Sequence, residues 1–348
     1  MIIAESPLDL QQRHTYFCLS RFVDDTPIYL KLEGLNQAGS IKMKTAVNMI
    51  EDLEERGRID PMYSHIIESS SGNLGIALSI VCKVKGYPFT CVTDPNTAPY
   101  CETQMRLYGA KVIRVTERDE NGGFLNTRIK LIKRMVGEDP SLTWTNQYAN
   151  DANPNAHERF TAHEIATDFP GLGTLFVGAG TTGTLRGCVR YFAPYTRRPT
   201  IVAVDVAGSV TFGSPPGKRY IPGLGTSRRP EIFNPEGIDR VFMIPEAETV
   251  KMAREILERY GILVGASTAT ALCGVAEYAR ADELVGPVVV ISPDFGDKYV
   301  DTVFSDDWAS ERFPELGLRA RPPALEPPRA IRSTWSADAT GGSDVLSK

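Results

Sequence analysis

Ala38-Gly39-Ser40-Ile41-Lys42-Met43-Lys44-Thr45-Ala46 places a lysine directly after a Gly-Ser turn and at the head of an apolar-periodic run, Ala46, Val47, Met49, Ile50 and Leu53. That spacing predicts a helix opening near Lys42, and a helix N-terminus is a place where the chemistry of an amine can be tuned. Lys42 is therefore a candidate for covalent chemistry with a carbonyl group. Taken alone, the same stretch also describes a solvated lysine on an ordinary first turn. The residues around it decide between the two.

Working outward, short β-like runs alternate with helical patterns, the signature of an α/β fold. Strands are predicted at 28–32, 65–68, 89–93 and 111–115, with helices at 44–56, 74–85, from 97 to Tyr108 with Gly109 as its stop, and 123–136. A second series has strands at 174–177, 200–205, 240–244 and 287–292 and helices near 183–193, 246–260 and 268–280. Parallel strands joined by such helices present ligands at their carboxyl ends. Residues 314–348 carry closely spaced prolines and then Ser, Asp, Gly and Thr without apolar periodicity, and are expected to be a disordered tail.

Composition narrows the class. With 348 residues the chain is long enough for two lobes with a cleft between them. A net charge of -5, with lysines and arginines dispersed among acids, argues against nucleic acid as a partner. The six cysteines form no C-x-x-C pair and have no histidine at ligand spacing, so neither a metal site nor a disulfide framework is signalled. No secretory leader and no apolar run of membrane-spanning length is evident, and a cytoplasmic protein is expected.

Two turns carry chemistry. Gly178-Ala179-Gly180-Thr181-Thr182-Gly183-Thr184 satisfies G-x-G-x-x-G between a strand and a helix, with Asp205 further on, so a dinucleotide site (NAD) is one reading. Its three threonine hydroxyls suit the oxygens of a compact terminal phosphate better than a pyrophosphate. Glu68-Ser69-Ser70-Ser71-Gly72-Asn73-Leu74-Gly75 is the other. Its hydroxyls and open N–H groups would form a nest for a carboxylate, and the Asn73 amide can donate to a phenolate-like oxygen.

Together these motifs resemble the fold-type II pyridoxal-phosphate enzymes of the cysteine synthase and cystathionine β-synthase family, over residues 20–305. The resemblance implies two lobes, each a mainly parallel sheet flanked by helices, with the active site in the cleft. Residues 40–145 would be the smaller, mobile, substrate-binding lobe, and residues 1–39 with 146–313 the larger lobe that binds the cofactor phosphate. Gly39-Ser40-Ile41-Lys42 matches G-S-[VI]-K, so Lys42 would hold pyridoxal 5'-phosphate covalently and act as the catalytic base. Ser70, Ser71, Gly72 and Asn73 resemble the T-S-G-N loop on the substrate carboxylate, with Asn73 also on the cofactor's ring oxygen. Gly180, Thr181, Thr182, Gly183 and Thr184 are similar to the phosphate cup, and Gln147 lies in a segment like Q-F-x-N-x-A-N-P, beside the substrate carboxylate. Pro222-Gly223-Leu224-Gly225 is similar to the family's glycine pair near the active site, placing Gly225 there. Family members are usually homodimers, which implies the same here.

Departures refine the expectation. Met43-Lys44 stands where cysteine synthases have Asp-Arg, and Leu74 where they have Thr, which argues against ordinary cysteine synthesis. Phe295 occupies the place of the serine that meets the pyridine nitrogen, leaving Asp294, Ser292 and Ser267 as alternatives. G-S-I-K-[ML]-K-T-A, S-S-S-G-N-L-G and C-V-T-D-P-N together resemble the subgroup that makes N-(2-amino-2-carboxyethyl)-L-glutamate for 2,3-diaminopropionate in siderophores and peptide antibiotics. This implies β-replacement on O-phospho-L-serine by L-glutamate, with O-acetylserine or serine and sulfide or homocysteine as the alternative substrates. A dicarboxylic nucleophile needs an added cation and donor, for which Arg128 and Tyr148 are the candidates. Lys44, Arg219 and Arg114 are the cations available to a departing phosphate.

Overall fold

The computed structural model describes residues 3–24, 26–120 and 122–318. In chain order its elements are β1 (Tyr16–Val23), β2 (Thr26–Leu32), α1 (Lys42–Glu55), β3 (His65–Ser69), α2 (Asn73–Lys85), β4 (Phe89–Thr93), α3 (Pro99–Leu107), β5 (Lys111–Arg114), α4 (Leu125–Glu138) and β6 (Leu142–Trp144). There follow α5 (Ala152–Ala156), a π-helical turn His157–Ala162, α6 (His163–Asp168), β7 (Thr174–Gly178), α7 (Gly183–Phe192), β8 (Thr200–Val206), β9 (Arg240–Ile244), α8 (Glu246–Tyr260), α9 (Ala266–Ala281), β10 (Val288–Ser292) and α10 (Asp306–Arg312).

The strands form two sheets, β5-β4-β3-β6 and β1-β2-β10-β7-β8-β9. Every pairing is parallel except β1 with β2. β4 and β10 are buried along their whole length, as inner strands of parallel sheets covered on both faces are. One core, with Met43, Met49, Ile66, Ile76 and Met105, lies between the smaller sheet and helices α1 to α3. Two others cover the faces of the larger sheet, around Leu30, Phe176 and Val290 on one side and Leu175, Val177 and Ile291 on the other. The carboxyl ends of β3, β7 and β10 therefore carry the turns Ser70–Gly72, Ala179–Thr182 and Pro293–Phe295 toward one place.

The structure corrects several expectations. β1 was not expected. Apart from buried Leu19 its residues are half-buried or exposed, and Ser20 and Arg21 interrupt its apolar pattern, as befits an antiparallel edge strand rather than a buried one. The rod of residues 152–168 begins Ala-Asn-Pro and passes through a π turn, so it shows no 3.6-residue period. Short β6 and α10 also lack a readable period. The expected tail boundary at 314 moves outward: Pro314–Leu316 form a 3-10 turn, and Leu316 and Leu318 pack beside Ile221, Tyr299 and Phe313. Residues 319–348 lie outside the described residues.

Candidate active site

Lys42 is the first residue of α1, and its position is set from both sides. The Ile41 N–H donates to Pro293 O at 2.8 Å, tying the turn to the end of β10, and buried Met43, Ala46 and Met49 seat the helix on its core. The side chain is half-buried and lines a cavity of about 730 Å³. Burial pushes its amine down from 10.5 to about 8, against the opposing pull of Glu68. A lysine so placed is half deprotonated near pH 8 rather than above 10, which suits a nucleophile or base.

The turn after β3 forms one wall. Ser70 Oγ accepts from the N–H of Gly72 at 3.3 Å and of Gly75 at 3.0 Å, fixing the start of α2, while Ser71, Gly72 and Asn73 border the cavity. Gln147 is held against the same turn. Its Nε2 donates to Ser69 O at 2.9 Å and its N–H to Glu68 Oε2 at 3.0 Å. Glu68, fully buried, also accepts from Trp144 Nε1 at 3.0 Å and Thr145 Oγ1 at 2.6 Å. Burial pushes its carboxyl up and these donors pull it back. The carboxylate is thus a rivet between β3 and the Gln147 segment.

The turn after β7 forms another part of the wall. Thr182 adopts φ 68°, a left-handed conformation unfavourable for a β-branched residue, and its buried Oγ1 has no hydrogen-bond partner among the described residues. Such strain and an orphaned hydroxyl at the open N–H groups of α7 mark an anion cup. A Cβ on Gly180 would stand 2.8 Å from Gly223 O, and one on Gly183 would strike the Asn153 side chain, so the close approach needs glycine at both places. Asn153 Nδ2 donates to Thr181 Oγ1 at 3.1 Å, and Thr184 Oγ1 lies 3.3 Å from His157 Nε2.

A family model described as "Pyridoxal-phosphate dependent enzyme" matches residues 12–294 of this chain. The chain belongs to the pyridoxal-phosphate dependent enzymes. Among its relatives, a protein of Ralstonia nicotianae named N-(2-amino-2-carboxyethyl)-L-glutamate synthase is 39% identical over 312 residues, 88% of this chain and 91% of that one. A protein of the same name from Cupriavidus metallidurans is 38% identical over 288 residues, 82% and 84% of the two chains. Among solved structures, O-ureido-L-serine synthase with O-ureido-L-serine bound superposes with TM-score 0.80 at 26% identity, covering 92% of this chain and all of that one, 100%. O-acetylserine dependent cystathionine β-synthase from Helicobacter pylori gives 0.79 at 27%, covering 87% and 99%.

The enzyme's cavity fits its family's cofactor. The orphaned Thr182 hydroxyl and the glycine-lined cup at α7 suit a phosphate monoester, and Lys42 lines the same cavity. The dinucleotide reading is set aside. Asp205 is fully buried in β8, accepts from the Val206 N–H at 2.8 Å and is not part of the lining.

The remaining expected residues divide. Arg128, Tyr148, Ser267 and Gly225 all border the cavity. Arg128, on α4, is 7% exposed with Nε 3.4 Å from Asp94 Oδ2, and among the described residues its Nε and Nη1 have no hydrogen-bond partner. Gly225, at φ 71°, leaves the space that Arg219 Nη1 occupies, and Arg219 donates to Leu224 O at 3.2 Å. Asp294 is not part of the lining; its Oδ2 stands behind Asn73, accepting from Asn73 Nδ2 at 2.7 Å and Tyr299 Oη at 3.0 Å. Of the three cations considered for a departing phosphate, only Arg219 reaches the cavity. Arg114 pairs with Glu102 on the surface, and Lys44 is locked between Glu33 and Glu164 in the interior.

Sequence reasoning missed Lys298, Asp94 and the rivet Glu68. Lys298 had a signal, since Gly296-Asp297-Lys298-Tyr299 follows the strand end beside the site. Glu68 and Asp94 are single acids at strand ends, and nothing local distinguishes them.

Proposed function

We propose that the enzyme carries out a β-replacement in which L-glutamate displaces phosphate from O-phospho-L-serine, giving N-(2-amino-2-carboxyethyl)-L-glutamate and inorganic phosphate. The observation that carries the reading is the charge of the cavity. In a chain of net charge -5, Lys42, Arg118, Arg128, Lys218, Arg219 and Lys298 line it against a single acid, Asp94. A cavity that must take a phosphorylated donor and a dicarboxylic acceptor needs this excess, whereas sulfide and O-acetylserine do not. The two relatives that share the corresponding name add support.

Pyridoxal phosphate, when bound, supplies the electron sink that lets the Cα–H bond break. The rest falls to the chain. The Ser70–Asn73 turn and Gln147 hold the donor carboxylate, and Lys42 takes the Cα proton in its neutral form and later returns it. Arg219 meets the leaving phosphate, and Arg128 with the Tyr148 hydroxyl holds the side-chain carboxylate of glutamate. Ser267, near the head of α9, borders the cavity and would be available to the cofactor's ring. In this reading residues 40–145 move as a lobe against 1–39 and 146–313, and the enzyme works as a cytoplasmic homodimer feeding 2,3-diaminopropionate synthesis for a siderophore or peptide antibiotic. Among the described residues no helix is long and apolar enough to cross a membrane.

The test mixes holoenzyme with O-phospho-L-serine, O-acetyl-L-serine or L-serine, follows the visible spectrum, then adds glutamate, sulfide or homocysteine and weighs the product. O-Phospho-L-serine with glutamate is expected to give the named product, and Arg128→Met to raise the KM for glutamate about tenfold or more. Turnover of O-acetyl-L-serine and sulfide alone would overturn the reading.

A further inference from the structure

Lys298 lines the cavity, yet its ammonium is already saturated. Nζ donates to Asn73 Oδ1 at 2.7 Å, to Gly39 O at 3.1 Å and to Ala38 O at 3.2 Å, three acceptors for three N–H bonds. A group with no donor left has nothing to offer a ligand directly. What it does touch is Asn73 and the turn that leads into Lys42.

The two partners of Asn73 fix its amide without ambiguity. Lys298 can only donate, so it must face the amide oxygen, and the Asp294 carboxylate accepts from Nδ2 at 2.7 Å. Reversing the amide would set its NH2 against an ammonium and its oxygen against a carboxylate, two mismatches at once. One N–H of Asn73 therefore remains, and Asn73 borders the cavity. An ammonium on the amide oxygen also draws electron density from the nitrogen and strengthens that remaining donor. Asp294 is itself braced by Tyr299 Oη at 3.0 Å, so the arrangement spans β10, the Gly39 turn and the head of α2.

We propose that Lys298 is a positioning residue that, with Asp294, locks the Asn73 amide so that its free N–H is presented to an oxyanion in the cavity, the ring oxygen of pyridoxal phosphate. This rests on the reading of Asn73 as a cofactor contact, and not on which donor or acceptor amino acid the enzyme uses. Equilibrium binding of pyridoxal phosphate to the apoenzyme, and the visible band of the complex, are therefore measured with no amino acid present.

Lys298→Met is expected to weaken binding about tenfold and to move the band. Asn73→Ala should do the same, and the double variant no more than either alone. Lys298→Arg, still a donor-only cation, is expected to restore the wild-type band. Where Lys298→Met does not fold, Lys298→Gln withdraws the charge and keeps a polar group, and should move the band in the same direction. Wild-type binding and band in the neutral variant, or effects of Lys298→Met and Asn73→Ala that multiply in the double variant, would overturn the proposal.

Discussion

Lys42 shows how an ordinary residue acquires a function from its surroundings. Burial pushes its amine down to about 8 from 10.5, while buried Glu68 limits the fall. For a cationic group this means that the neutral, nucleophilic form appears on passing upward through pH 8 rather than through the range of a solvated lysine. Covalent capture of pyridoxal phosphate by the apoenzyme is thus expected to accelerate with rising pH and to level off above about 8. Stopped-flow absorbance reads this directly, and a midpoint near 10.5 would contradict the assignment. Lys42→Ala should lose the covalent band at every pH. At this scale the sequence was highly legible, because the Gly-Ser turn, the hydroxyl-rich turns and the lysine are local patterns. The partners that tune them, Glu68 for Lys42 and Lys298 for Asn73, come from other segments of the chain.

At the scale of elements, α1 is joined to the larger sheet by charge rather than by apolar contact. Lys44 Nζ lies 2.8 Å from Glu164 Oε2 and 2.9 Å from Glu33 Oε2, while Lys31 Nζ lies 2.8 Å from the same Glu164 oxygen. All four side chains are buried, two cations against two anions. Their mutual attraction is large only because water is absent, and removing one member leaves a buried charge without compensation. Lys44→Met is therefore expected to destabilise the fold by about 3–5 kcal/mol. Lys44→Met combined with Glu164→Gln should recover part of that loss, as read by urea denaturation at neutral pH. Equal midpoints for the wild type and Lys44→Met would refute the coupling. This replaces the expectation that Lys44 faces a departing phosphate: it lies only two residues from Lys42 in the sequence, but that step is roughly half a helical turn and carries the two side chains to opposite sides. The rod of residues 152–168 escaped for a related reason. Gly187 of α7 sits so close to it that a Cβ would stand 2.5 Å from Pro154 O, and its helical form follows from that packing rather than from its own period.

Across the whole molecule the charge is divided: the chain is acidic overall and its cavity is basic. Anionic substrates are drawn toward such a cavity by a field that salt screens, the Debye length falling from ~10 Å at 0.1 M to ~3 Å at 1 M. For the exposed lining cations Arg118 and Lys218 the loss is largest. The kcat/KM for the phosphorylated donor is expected to drop severalfold between roughly 0.05 and 0.5 M salt, as that length shortens. Uncharged donors should be little affected. A salt-independent kcat/KM for the anionic donor would show that the outer cations take no part in its approach.

The sequence by itself determined the alternation of strands and helices, the lysine at the head of α1 and the two ligand turns, because each depends on spacing and turn chemistry within a few residues. It also determined the family, since several such motifs occur in one order. Only the tertiary structure decided which charged groups face the cavity and which neutralise one another inside the fold. Lys44, Arg114, Arg219 and Lys298 are alike as letters, and only the third and fourth reach the cavity. The physical reason is that a charge takes its role from its nearest partner, and for these residues that partner is brought from a different element by the packing of the two sheets.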